Sequence, residues 1–105
     1  MAIKVYWTYF AKKELKNIYD YYKIKASPKV AEKLATGIVE KTTSLEFRTE
    51  IGQKEDLLLD RQENFRYLIF KNYKIIYWFN KDKNRIEISD VFDTRQNPLK
   101  IKRPE

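Results

Sequence analysis

What this chain lacks decides which side chains can do chemistry. It has no histidine and no cysteine. Proton transfer would therefore fall to Lys, Tyr, Asp or Glu. Thiolate nucleophiles, disulfides and zinc sites built on Cys or His are excluded. Gly occurs twice, which rules out a phosphate-cradling Gly-rich loop. Neither a metal nor a cofactor is expected. The remaining reactive stock is basic and aromatic, with a formal net charge of +7 and 15% aromatic residues. The charge is unevenly placed. Residues 1–48 carry ten basic and five acidic side chains, 49–64 two against five, and 65–105 ten against five. Such a chain attracts a polyanion or an acidic protein, or simply wears a solvated Lys-rich surface.

At 105 residues the chain is one domain. Its aromatic content sets it apart from disordered sequences. "MAIKVYWTYF" has no long apolar run or small-residue cleavage site, so no signal peptide is expected. No segment approaches a membrane span. A reducing, cytoplasmic setting fits the absence of cysteine.

The elements that must position these groups follow from periodicity. "AIKVYW" alternates and predicts a strand. Thr8 is placed to cap a helix whose face is Ala11, Leu15, Ile18 and Tyr22. Ser27 and Pro28 open a second helix, with Ala31, Leu34, Ile38 and Leu45 as its apolar face. Gly37 marks close packing against the first helix. Residues 49–64 read as a loop, with a short strand near Leu57 to Asp60. Three strands follow: Phe65–Lys71, Tyr73–Asn80 and Arg85–Asp93. Lys71-Asn72 can turn the chain there, since Asn tolerates positive φ. In the last strand Ile86, Ile88 and Phe92 share a side.

This order predicts an α+β two-layer domain, β-α-α-β-β-β, with an antiparallel sheet covered on one face by a helical hairpin. It would occupy residues 1–98, leaving 99–105 as a basic tail. In "YKIIYWFN" both faces are apolar: Tyr73, Ile75, Tyr77 and Phe79 on one, Lys74, Ile76 and Trp78 on the other. The hairpin covers the first. The rest of the chain offers no second covering layer, so an open cationic hollow is expected there. Trp78 would then either lid a small second cluster or meet a partner.

"WTYFAKKELKNIYDYY", "FRYLIFKNYKIIYWF" and "ISDVFDTRQNP", in this element order, resemble the RelE/ParE superfamily of bacterial type II toxins over roughly residues 3–98. The resemblance implies a toxin held silent by a cognate antitoxin, often through a flexible acidic segment, in modules linked to plasmid stabilization. Two mechanisms occur in that superfamily. RelE-like mRNA interferases cut ribosome-bound mRNA, and ParE-like members inhibit DNA gyrase. Lys74 matches the basic position of the family's "YRxxY" pattern. With Arg66 one strand away and Arg95 after the last strand, three cations would be available to hold a phosphate, and Tyr77 is the last tyrosine. The resemblance therefore implies Arg66, Lys74, Arg95 and Tyr77 as the site of a nuclease, or Trp78, Lys74, Arg66 and Arg95 as a partner surface. Arg66 can alternatively pair with Asp90 or Glu87 across the sheet. The sequence departs from the nuclease branch in having no C-terminal Tyr or His and in its acidic 49–64 loop. Both departures favour the ParE-like reading, in which the chain acts by binding rather than as an enzyme.

Overall fold

The computed structural model describes residues 3–102. Strand β1 (Lys4–Trp7) leads into helix α1 (Tyr9–Lys25), then α2 (Pro28–Lys41). Both helix starts are capped as the sequence predicts. Ala11 N–H donates to Thr8 Oγ1 at 3.2 Å, and Val30 N–H to Ser27 Oγ at 3.1 Å. The apolar face of α2 runs past the helix end. A 3-10 turn over Thr42–Glu46 carries Leu45 into the core. Strand β2 is Gln53–Lys54, and the expected strand near Leu57 is instead a 3-10 turn, Asp56–Leu58. Strands β3 (Arg66–Phe70), β4 (Tyr73–Asn80) and β5 (Arg85–Asp93) form the meander.

The sheet order is β1-β5-β4-β3-β2. All pairings are antiparallel except β1 with β5, which is parallel. The helical hairpin separates β1 from the meander by a long crossover, the kind of connection parallel pairing needs. Its two helices pack on the sheet face that carries Tyr73, Ile75, Tyr77, Ile86 and Ile88, with Ala11 and Ile38 opposite. Gly37 packs closely, but its neighbour is not α1. A Cβ there would strike the end of the Phe70 ring on β3. The first hairpin turn uses Lys71 at φ 54°, not Asn72, as its left-handed residue.

The second sheet face is not open. Leu58, Phe65, Ile76, Phe92 and Ile101 form a second buried cluster, with Leu57, Tyr67 and Trp78 against it. Its cover is a strap made of residues 55–65 and of a 3-10 turn, Pro98–Lys102. The boundary expected at residue 98 therefore falls inside a packed turn, and Ile101 is only 5% exposed. The part of the expected tail beyond residue 102 lies outside the described residues.

A bulge in β5 feeds this second cluster. Ile76 pairs with Asp90 but Tyr77 with Ile88, so Ser89 is the extra residue. From that point the alternation inverts. Val91 joins Ile86 and Ile88 in the first core, and Phe92 moves to the second. The expected grouping of Phe92 with the two isoleucines fails for that reason. Ser89 Oγ is buried with no hydrogen-bond partner among the described residues.

Candidate functional site

Arg66 and Tyr77 are opposite each other in the β3–β4 register, so they share the helix-covered face. The Tyr77 hydroxyl donates to Thr49 O and accepts from Gly52 N–H, both at 2.9 Å. Arg66 Nη1 donates to Gly52 O at 2.8 Å and Glu50 O at 3.4 Å. Together they clamp the loop after α2 onto the sheet. The cross-sheet pairing with Glu87 does not form, because that carboxylate binds Arg85 at 3.0 Å and Asn80 at 2.9 Å.

Lys74 points to the opposite face. Its Nζ lies 2.7 Å from Glu55 Oε1 and 4.2 Å from the centre of the Tyr67 ring. Glu55 is 2% exposed at its side chain and Lys74 23%. The other Glu55 oxygen accepts from Leu57 N–H at 3.1 Å, and Glu55 N–H donates to Phe65 O at 2.9 Å. This ion pair fastens the strap across the second face. Trp78 is half-buried and meets the Phe65 ring edge-on, with centroids 6.5 Å apart. Of the two roles the sequence leaves open for it, packing as a lid is the one these contacts describe.

Arg95 belongs to a third locus, where β5 leaves the sheet beside α1. Its Nε and Nη2 hold both Asp93 oxygens, at 3.1 and 2.9 Å, and Nη2 reaches the Tyr22 hydroxyl at 3.5 Å. Tyr73 also donates to Tyr22. These groups border a cavity of about 350 Å³, lined also by Gln96, Val91 and the α1 side chains Glu14, Asn17, Ile18 and Tyr21. Hydrogen bonds from Tyr73 and then Arg95 lower the Tyr22 pKa. The bond from Arg95 holds the Asp93 carboxyl below its ordinary range.

The three cations thus occupy three places, two of them on opposite faces of the sheet. No shared phosphate grip forms. The expected common groove for Arg66 and Lys74 is ruled out by strand alternation alone, since Tyr77 and Lys74 are three residues apart and Arg66 sits opposite Tyr77. Glu55 was not singled out by sequence, and Tyr22 only as part of the apolar face of the first helix. Glu55 stands in the acidic loop, but only the folded chain brings it to Lys74.

Burial raises the pKa of both Tyr73 and Tyr77 above the ordinary 10.0. The folded chain therefore keeps protons that the unfolded chain releases from about pH 10. Their contribution is complete below that pH and is lost as pH rises through the folded values. Tyr22 acts in the opposite sense, but it is more exposed, so the two buried phenols prevail. Urea midpoints should fall as pH rises above about 10. A flat profile would contradict this assignment.

The sequence pattern of the ParE toxin of the type II toxin–antitoxin system, parDE, matches residues 5–98. The chain belongs to the ParE toxin family. In fold, this ParE-family chain is similar to a structure described as the chromosomal ParDE TA system from P. aeruginosa. The TM-score is 0.72 at 21% identity, covering 88% of this chain and 96% of the other. No curated sequence matches it. Among the described residues no helix is long and apolar enough to cross a membrane.

Proposed function

We propose that this toxin acts in the cytoplasm by binding and inhibiting DNA gyrase, and that a cognate antitoxin neutralises it. Membership of the ParE family over residues 5–98 supports the gyrase-directed branch. The observation that carries binding over catalysis is the separate engagement of the cations. Arg66 is bonded to loop carbonyls, Lys74 to a buried carboxylate and Arg95 to Asp93. Cleavage of ribosome-bound mRNA would need these groups to converge on one phosphate, and Tyr77 would have to leave its two loop bonds to serve as an acid. The basic surface suits an antitoxin that wraps it with an acidic segment.

Tightly induced expression tests the reading in cells. Growth should stop, a reporter plasmid should lose negative supercoils, and transcript ends should stay unchanged. Co-expressed antitoxin should restore growth. New ribosome-dependent transcript ends on a normally supercoiled plasmid would refute it.

A further inference from the structure

The core stripe of α1 is Ala11, Leu15, Ile18 and Tyr22. Tyr21 and Ile24 lie off it, three residues apart and therefore on one face of the helix. They are 54% and 84% exposed. Val30, in the first turn of α2, is exposed too. Only Ala26 and Ser27 separate the helices, so these three side chains stand at the tip of the hairpin. Single exposed apolar residues are ordinary. Three near one tip, with lysines on the adjoining turns, call for an explanation. Lys23, Lys25, Lys29 and Lys33 are all exposed, and none is in an ion pair among the described residues. Of the two acidic residues within 20–33, Asp20 is already held by Lys16 at 2.7 Å. The Tyr21 ring meets the Tyr22 ring edge-on, with centroids 5.1 Å apart.

We infer that the helical-hairpin tip is the surface with which this toxin grips its target, and that the mating surface is an acidic protein face with an apolar depression. The inference rests on reading the chain as a toxin with a protein target. Ile24 and Tyr21 supply the desolvated centre of the contact, and the neighbouring lysines steer approach and exclude cationic partners. A nucleic-acid backbone would use the lysines but has no place for Ile24.

The test compares full-length wild type, Ile24→Asp, and Lys25→Glu with Lys29→Glu, each under tight induction. Antitoxin affinity and urea midpoints are measured on the purified proteins. Ile24→Asp should raise the dose needed for growth arrest about 10-fold or more, with antitoxin affinity and midpoint unchanged. The double charge reversal should also weaken arrest. Three results would overturn the tip: Ile24→Asp arresting growth at the wild-type dose, antitoxin affinity falling in parallel, or an effect confined to the lysine reversal, which would indicate a polyanion such as RNA. Wild-type arrest without loss of supercoiling, itself abolished by Ile24→Asp, would remove gyrase as target and leave the tip standing. Wild type without arrest would remove both.

Discussion

Lys74→Ala should destabilise the fold by about 2–4 kcal/mol, the range for stranding a buried charge, reduced because Lys74 is partly exposed. The Glu55 side chain, 2% exposed, would be left facing Tyr67 and the second cluster without its cation. The strap over Ile76 and Phe92 would lose its fastening as well. Glu55→Gln should be milder. It keeps an acceptor for Leu57 N–H, and the Lys74 ammonium, already 23% exposed, can turn to water. Lys74→Met combined with Glu55→Gln should recover most of the loss, because removing both charges removes the uncompensated burial. Urea midpoints of the three variants check the ranking. The ranking has a functional consequence. Loss of growth arrest in Lys74→Ala would report a damaged fold, not a missing catalytic lysine. The double variant separates the two, since it lacks the lysine and keeps the strap.

Gly52→Ala should cost about 3 kcal/mol, combining overpacking with hydrogen bonds left unmade. A Cβ at Gly52 would lie 2.6 Å from Tyr67 O and 2.7 Å from both Cε1 and the hydroxyl of Tyr77. Neither neighbour can yield. One is sheet backbone, and the other is a fully buried ring. Any shift of the loop breaks the Gly52 N–H bond to Tyr77, the Tyr77 bond to Thr49 O and the Arg66 bond to Gly52 O. Gly37→Ala makes the control. Its obstacle is the tip of the half-buried Phe70 ring, the far end of a side chain that borders an open groove and can swing aside. That variant should lose no more than about 1 kcal/mol, since the helix propensity gained offsets part of the clash. Thermal or urea unfolding of the two alanine variants gives the comparison. Equal losses would contradict the rigid-clamp account of Tyr77.

The first layer was legible because it is written in local patterns. Thr8 and Ser27 announce the helix starts, the i, i+3, i+4 stripe of α1 announces its buried face, and Tyr73, Ile75 and Tyr77 alternate as a core strand must. The second layer was hidden for physical reasons. Leu58 stands in the leucine run Leu57–Leu59 and Ile101 between two lysines, both in stretches without periodicity, and they acquire their place only when two distant segments meet over Ile76. The bulge at Ser89 carries no Gly or Pro to betray it, yet it moves Phe92 to the opposite face. Glu55 was visible only as part of an acidic run. Its role as the partner of Lys74 depends on a contact 19 residues apart in sequence. Of the candidate residues, the identities were readable and the grouping was not. Arg66 and Lys74 on neighbouring strands look like one site until the register places them on opposite faces.

Purified gyrase titrated with the purified toxin tests the central claim most directly. Supercoiling of relaxed plasmid should fall as toxin is added and recover when antitoxin is supplied in excess. Undiminished supercoiling at saturating toxin, with cleavage of mRNA on added ribosomes, would contradict it.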